Sequence, residues 1–393
     1  MSRAYLIWGS VFLAIMFVAG FGGWMLTLPV ATATSVAPLV PQEEAEAMLA
    51  SLRPEKRERP LIAVIGINDA TETTDYLVPT GILRRADIAD VVMLATTSGP
   101  VHLYPALSVE PDGTVAQFDA GHPEGADFVI VPAMNRDDDP AVLAWLRAQA
   151  EKGATIIGIC AGAKVLAAAG LLDGKRATTH WYYRDQMLTR SPTIRFVADR
   201  RMVADDGVAT TTGISASIPM MLTVVEVIAG RAKAEAVAHG LGLEQWDARH
   251  ASSAFRLTRS FARTVLFNRL AFWNREELGM KLEPGMDEVS LALVADAWSR
   301  TYRSHATTYT ASPSSVVSMN GVRILPDRTR VGWPEESRLS MLSDRKPTDA
   351  LNLALEAIAA RFGAGTADVV AMQLEYRRET GPRFALCCQA LCS

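Results

Sequence analysis

Residues 155–169, TIIGICAGAKVLAAA, decide the fold that this sequence predicts. The first five residues are an apolar run with the length of a buried strand, and the alanine-rich remainder favours a helix. Gly158 and Gly162 flank Cys160 in the pattern Gly-x-Cys-x-Gly, which fits a sharp strand-to-helix turn because larger side chains there would collide with the sheet. We therefore expect Cys160 to lie on a nucleophile elbow at the carboxyl end of a strand.

The segments before this turn alternate between short apolar runs and amphipathic stretches. The apolar runs predict strands and the amphipathic stretches predict helices, at residues 61–65, 91–95 and 128–131 for the strands, 101–109 for a hairpin, and 76–85 and 141–152 for the helices. Such alternation is typical of an α/β fold with a parallel, doubly wound sheet, which binds ligands at the carboxyl ends of its strands.

Cys160 is the only cysteine outside the last seven residues, which contain Cys387, Cys388 and Cys392. Four cysteines placed in this way form no disulfide framework. Unpaired N–H groups at the start of the following helix favour a thiolate and predict a lowered pKa for Cys160. The pattern fits a buried structural cysteine equally well. The histidines are scattered without metal-ligand spacing, so we expect neither a metal ion nor a cofactor.

The run from Gly158 to Trp181, GICAGAKVLAAAGLLDGKRATTHW, resembles the elbow region of the ThiJ/PfpI superfamily, which has the flavodoxin-like fold of class I glutamine amidotransferases. Among its members, the run is most similar to the amidase-like domain of GlxA-type AraC regulators and to the isonitrile hydratases. DATETTDY at residues 69–76 and TTTGISA at residues 210–216 extend the resemblance to roughly residues 60–250.

The resemblance implies a role for each matching residue. Cys160 matches the family nucleophile, Asp75 the acid that hydrogen-bonds to the sulfur, and His180 a histidine near the elbow that can carry protons. The residues implied in the elbow and the oxyanion hole are Gly158, Ala161, Gly162 and Ala133. Relatives usually carry Pro-Gly-Gly where this chain has Pro132-Ala133-Met134, which keeps the backbone N–H groups but loses the positive φ open to glycine.

Asp75 and His180 also have simpler interpretations. Asp75 fits the N-cap of a helix, where aspartate is common. His180 fits a hydrogen-bonded structural residue as well as a catalytic one.

The N-terminal segment from Ala4 to Val30 is uncharged and long enough to cross a bilayer, which takes about 20 residues. A secretory signal peptide is the alternative, because Ala31-Thr32-Ala33 has the small-x-small form of a cleavage site. The length of the apolar run favours a retained anchor. Arg3 precedes the segment and the next basic residue is Arg53, so we expect the soluble part outside the cytoplasm, in a bacterial periplasm or at the cell exterior.

The C-terminal part resembles pieces of the first domain. Three pairs of segments correspond in order: 73–85 with 288–300, 101–112 with 316–327, and 226–231 with 356–361. The first two pairs share one offset. Ser290 takes the place of Asp75, and nothing replaces Cys160 or His180. We interpret this part as a degenerate, partial second copy that cannot catalyse.

The sequence is thereby divided into six parts. These are a transmembrane anchor or uncleaved signal (1–30), a linker (31–60), the ThiJ/PfpI-like domain (61–250), a connecting amphipathic helix (251–283), the degenerate repeat (284–385) and a Cys-containing tail (386–393). The repeat stands where GlxA-type regulators carry their DNA-binding domain. A net charge of −4 also gives no reason to expect a nucleic-acid partner.

Three functions remain open at this point. The first is a cysteine-dependent small-molecule hydrolase or hydratase, of the amidase, isonitrile hydratase or aldehyde-handling type. The second is a non-catalytic redox or ligand sensor, and the third is a structural domain. The expected partner is a small-molecule substrate or ligand, and a homo-oligomer is compatible with all three functions.

Overall fold

The structure is a computed structural model that describes Trp8, Phe12, Met16 and residues 19–30, 36–339 and 345–378. Its helices within these ranges, besides a helical run at 19–27, are α1 (Gln42–Ser51), α2 (Thr73–Ala86), α3 (Val115–Gly121), α4 (Pro140–Glu151), α5 (Gly162–Ala168), α6 (Arg184–Arg190), α7 (Ser217–Ala229), α8 (Arg231–Leu241), α9 (Arg259–Leu270), α10 (Glu288–Ser299), α11 (Pro347–Phe362) and α12 (Ala364–Gln373).

The strands of the described residues are β1 (Leu61–Gly66), β2 (Asp69–Glu72), β3 (Asp90–Ala95), β4 (Val101–Tyr104), β5 (Ser108–Glu110), β6 (Gly113–Thr114), β7 (Phe128–Val131), β8 (Thr155–Gly158), β9 (Arg176–Ala177), β10 (Arg195–Phe196), β11 (Met202–Asp205), β12 (Val208–Thr211), β13 (Glu276–Lys281), β14 (Ser304–Thr310), β15 (Val316–Val317), β16 (Arg323–Leu325), β17 (Arg328–Thr329) and β18 (Arg338–Leu339).

Seven strands form the main sheet, in the order β11-β12-β8-β7-β1-β3-β6. Neighbouring strands are parallel except for β11 and β12. β1 is buried along its whole length: Ile62 and Val64 pack in one apolar cluster with α2 and α7, and Ala63 and Ile65 pack in another with α4 and α5. The predicted parallel α/β sheet, with helices on both faces, is therefore confirmed.

The second half of the chain forms a smaller sheet of four parallel strands, in the order β17-β14-β13-β18. A mixed five-stranded sheet, β15-β16-β5-β4-β2, contains strands from both halves. The halves meet where β5 pairs with β16, and these two strands run antiparallel with Val109 opposite Ile324. The two halves thus share one sheet.

The prediction of an N-terminal transmembrane helix over residues 1–30 is wrong. Within the described residues, no helix combines the length and the apolar character that a membrane crossing requires. The prediction of membrane contact through residues 4–30, and of a membrane-anchored protein with its soluble part outside the cytoplasm, depended on that helix and falls with it.

Two segments expected to connect domains contain regular structure. Residues 42–51 of the predicted linker form α1, where Glu44 accepts hydrogen bonds from Arg176 and Arg200. The segment 251–283 contains α9 and then β13. The Cys-containing tail, with Cys387, Cys388 and Cys392, lies outside the described residues.

The turn between β8 and α5 packs directly against β7. A Cβ atom on Gly162 would lie 2.0 Å from the carbonyl oxygen of Val131, and one on Gly158 would lie 2.9 Å from the nitrogen of Ala163. Both distances are too short for a side chain. The glycines are therefore required by the close approach of this turn to the sheet.

We predict that Gly162→Ala destabilises the protein by at least about 2 kcal/mol, because the added methyl group overlaps a β7 carbonyl that cannot move without breaking the sheet. The matched control is Gly240→Ala in α8, where an added Cβ meets no other atom within 4 Å. That change should stabilise the protein by about 0.5–1 kcal/mol. Urea denaturation measures both, and similar effects of the two substitutions would contradict the packing argument.

Candidate active site

Cys160 occupies the strand-to-helix turn in a left-handed backbone conformation, with φ of 54°. Its N–H donates to Thr211 Oγ1 at 3.1 Å, and its carbonyl accepts from Thr179 Oγ1 at 3.1 Å. A positive φ on a residue with a side chain costs on the order of 1–3 kcal/mol and persists where surrounding contacts impose it. These two threonines impose it here, so the thiol is held at a fixed place on the carboxyl edge of the sheet.

The Cys160 thiol is only 6% exposed. Burial raises its pKa well above the usual value, the carboxyl groups of Asp75, Glu72 and Glu375 raise it further, and the backbone N–H of Ala161 opposes them. The expectation of a lowered pKa is therefore not met, because loss of water and nearby negative charge outweigh the N–H groups of the turn. The thiol keeps its proton at neutral pH unless a base removes it.

Asp75 lies in the first turn of α2 and is fully buried. Its Oδ2 accepts from the N–H of Ala133 at 3.0 Å, and its Oδ1 has no hydrogen-bond partner among the described residues. Burial raises the pKa of Asp75 to about 7, while the Ala133 N–H favours the charged form. Near neutral pH, Asp75 is therefore able both to take up and to release a proton.

The helix cap at this position is Glu72, and not Asp75. The Glu72 carboxylate accepts from the N–H of Asp75 at 2.6 Å. The described residues contain no hydrogen bond between Asp75 and the Cys160 sulfur, so the two groups interact through their charges. Asp75 is thus a buried carboxyl group that acts electrostatically on Cys160, and it is not the N-cap of the helix.

The residues implied in an oxyanion hole differ in what their N–H groups do. The Ala133 N–H is bonded to Asp75, and the Ala161 N–H faces the sulfur. The Gly162 N–H donates to the Ile159 carbonyl at 2.7 Å. Gly158 ends β8 and contributes close packing.

His180 is buried next to the C-terminal end of α12. Its Nε2 donates to the Gln373 carbonyl at 3.0 Å, and its Nδ1 accepts from the Tyr182 N–H at 3.2 Å. Burial lowers its pKa, and Glu375 opposes that effect. The imidazole is therefore neutral, and both of its nitrogens are bonded to the backbone.

Three charged residues near Cys160 were missed by the sequence reasoning: Glu72, Arg300 and Glu375. Arg300 lies at the end of α10, where its Nη2 is 2.5 Å from Glu72 Oε1 and its Nε is 2.6 Å from Asp296 Oδ2. Burial opposes the charge on Arg300, but Asp296 and Glu72 hold its pKa well above the usual value. Burial, followed by repulsion from Asp75 and Asp296, raises the pKa of Glu72 well above its usual value.

The sequence contained a signal for two of these residues. Glu72 lies within the DATETTDY segment, and Arg300 is the last residue of the segment that matches residues 73–85. Glu375 had no signal, because its position depends on the fold of the second half. Its carboxylate accepts from the N–H groups of Trp181 and Gly213, both at 2.6 Å.

Residues 62–227 match the model of the DJ-1/PfpI family. Isonitrile hydratase from Pseudomonas putida is 39% identical over 94 residues, which are 24% of this chain and 40% of the relative. The HTH-type transcriptional regulator CdhR from Pseudomonas aeruginosa is 33% identical over 171 residues, 42% of this chain and 47% of the relative. The chain thus spans less than half the length of these two curated relatives.

Smaller relatives are matched over most of their length. The Parkinson disease protein 7 homolog of Danio rerio is 29% identical over 174 residues, 43% of this chain and 89% of the relative. The crystal structure of Drosophila melanogaster DJ-1beta is 26% identical, with 47% of this chain and 98% of that chain covered and a TM-score of 0.42. The resemblance stated from the elbow motif is confirmed: the chain carries a domain of the DJ-1/PfpI family, also called ThiJ/PfpI, at residues 62–227.

Proposed function

We propose that this chain is a cysteine-dependent hydratase or hydrolase of small molecules, with Cys160 as the nucleophile and Asp75 as the proton carrier. The observation that carries the proposal is the pairing of a cysteine at positive φ with a buried carboxyl group whose pKa is about 7 and whose Oδ1 has no partner among the described residues. A structural cysteine needs neither of these features, and both are unfavourable for folding.

The similarity to isonitrile hydratase favours hydration of an isonitrile to an N-substituted formamide. In this reaction the sulfur bonds to the terminal isonitrile carbon while the thiol proton passes through Asp75 to the same carbon, which gives a thioimidate. Water then adds across the C=N bond, with the hydroxyl on carbon and the proton on nitrogen. Collapse of this adduct breaks the C–S bond, returns a proton to the sulfur and releases the formamide.

Asp75 suits both proton transfers in this scheme. A group that accepts a proton in one step and returns it in another works best when its pKa is near the working pH. Burial brings the pKa of Asp75 to about 7, which meets that condition. We assign His180 to holding the wall of the site, because both ring nitrogens are bonded to backbone groups.

The hydrogen bond between Ala133 N–H and Asp75 favours a second candidate, a redox sensor. With that N–H occupied, fewer donors are left for a developing oxyanion, which is usually a large part of hydrolytic catalysis. Similarity to the HTH-type transcriptional regulator CdhR supports a regulatory role over a catalytic one. In a sensor, peroxide oxidises Cys160 to a sulfenic acid and is itself reduced to water.

We predict that wild-type protein converts a small alkyl isonitrile to the formamide, measured by chromatography, and that Cys160→Ala lowers the rate at least about 1,000-fold because the covalent step is lost. Cys387→Ser in the tail is the control and should keep the wild-type rate. Absence of turnover in the wild type, together with formation of Cys160 sulfenic acid at low peroxide, would reject the enzyme in favour of the sensor.

We also predict a pH-dependent effect of Asp75→Asn on stability. The folded-state pKa of Asp75 lies above its usual value of 3.8, so the wild type loses stability as the pH rises from about 4 to about 7. Asparagine cannot ionise and still accepts from Ala133 N–H. Asp75→Asn should therefore be more stable than the wild type at pH 8, by on the order of 2–4 kcal/mol, and not below pH 4.

Urea denaturation across this pH range measures the effect. The matched control is Asp139→Asn, because Asp139 caps α4 and asparagine is an equally good N-cap, so a small difference is expected at every pH. A stability difference for Asp75→Asn that does not change with pH would contradict a buried, proton-binding Asp75.

A further inference from the structure

Several helices and strands of the second half correspond to those of the first half by one fixed shift in residue number. This shift relates Leu61, the first residue of β1, to Glu276, the first residue of β13. β13, β16 and β17 have the bounds of β1, β5 and β6 shifted by this offset, and α10 begins at the same offset from the start of α2. Strand pairing follows the same shift, because Leu94 pairs with Gly113 and Tyr309 pairs with Arg328. The halves therefore share one strand-helix-strand unit.

Side-chain contacts within the unit recur as well. Asp112 Oδ2 accepts from the N–H of Met93 at 2.7 Å, and Asp327 Oδ2 accepts from the N–H of Thr308 at 2.7 Å. Both members of the second bond are related to those of the first by the same offset. General similarity between helices does not reproduce such a bond, so the correspondence extends to individual atoms.

The two units face each other across a local twofold axis. β5 and β16 pair antiparallel, with Val109 opposite its own counterpart Ile324. α2 and α10 approach closely, since a Cβ on Gly81 would lie 2.6 Å from Val289 Cγ2. This is the arrangement of two identical subunits around a symmetric interface, formed here within one chain.

A pair of related ion pairs joins the ends of α2 and α10. Arg300 contacts Glu72 at 2.5 Å, and Arg85 contacts Asp287 at 2.6 Å. Arg300 is the counterpart of Arg85, and Asp287 is the counterpart of Glu72, both at the same offset. The side chains are similarly buried, at 13% and 9% exposure in the first pair and 17% and 18% in the second.

Among the residues that the structure describes, only one of these ion pairs lies beside a cysteine. Glu72 is followed by Asp75, which interacts with Cys160. Asp287 is followed at the same spacing by Ser290, whose hydroxyl donates to Asp287 Oδ2 at 3.2 Å. The two halves therefore share the ion pairs of their interface, but Ser290 stands where the first half has Asp75.

We propose that the second half of the chain is an in-chain partner of the DJ-1/PfpI domain and supplies Arg300 to the Cys160 site, where Arg300 is a positioning residue that favours the thiolate. The inference rests on the proposed function of Cys160 as a reactive thiol. It also extends the interpretation of residues 284–385 as a degenerate copy, because it gives that copy a role.

The charged and titratable groups around Cys160 come from several elements. They are Glu72 and Asp75 at the start of α2, Tyr183 before α6, Glu375 after α12, and Arg300 at the end of α10. The carboxylates disfavour a negative sulfur. Arg300 opposes them by its position: it contacts Glu72 Oε1 at 2.5 Å, and Glu72 Oε2 accepts from the N–H of Asp75 at 2.6 Å. Its charge lowers the pKa of Asp75, and a thiolate at Cys160 raises the pKa of Arg300.

The test is the pH dependence of Cys160 alkylation by iodoacetamide in the full chain, followed on the Cys160 peptide by mass spectrometry. In Arg300→Gln the midpoint should rise by about one pH unit, which slows alkylation about tenfold below the midpoint. Arg300→Lys keeps the charge and should restore most of the rate. Arg85→Gln removes the related ion pair and should leave the midpoint unchanged.

Thermal melts show which variants fold. If Arg300→Gln does not fold, the second variant is Glu72→Gln/Arg300→Gln, compared with Glu72→Gln alone, because removing both partners of the ion pair leaves less buried charge unpaired than removing one. An unchanged midpoint in the folded Arg300 variant would overturn the inference, as would an equal shift in Arg85→Gln. If Asp75→Asn moves the midpoint and Arg300→Gln does not, the inference alone fails. If neither moves it, the proposed function fails with it.

Discussion

The ion pair between Glu72 and Arg300 is the contact on which both the assembly and the chemistry of this molecule depend. It joins the N-cap of α2 to the end of α10, and so fixes one half of the chain against the other. Removing one partner of such a pair leaves a buried charge uncompensated, which costs about 3–5 kcal/mol. The same guanidinium lowers the pKa of Asp75, and a Cys160 thiolate raises the pKa of Arg300, which is why we propose that the second half contributes to the site.

The sheet supplies the second constraint, which is the shape of the turn at Cys160. Gly162 lies against the Val131 carbonyl, and the threonines that bond the Cys160 backbone come from β12 and from the loop after β9. Burial then has opposite consequences for two neighbouring groups. It keeps the thiol protonated, and it gives Asp75 a pKa of about 7. Asp75 can therefore bind or release a proton near neutral pH, next to a Cys160 thiol that does not ionise readily.

The sequence predicted the parts of this structure that depend on neighbouring residues. Apolar runs located β1, β3, β7 and β8, and the glycines around Cys160 located the turn, because strand burial and tight turns have local signals. The direction of the Cys160 pKa was predicted wrongly, since it depends on desolvation and on Glu375, which is far away in the chain. The N-terminal anchor was predicted from the length of an uncharged, apolar segment and from the basic residues that flank it, and the described helices do not support it.

The most direct test of the central claim, that a buried Asp75 beside Cys160 exchanges a proton near neutral pH, is the carboxyl carbon resonance of Asp75 in protein labelled with ¹³C-aspartate. Assignment follows from the resonance that is missing in Asp75→Asn. The account predicts that this resonance titrates near pH 7, while typical aspartates titrate near pH 4. A resonance that completes its titration below pH 5 would show Asp75 to be an ordinary carboxylate and would contradict the account.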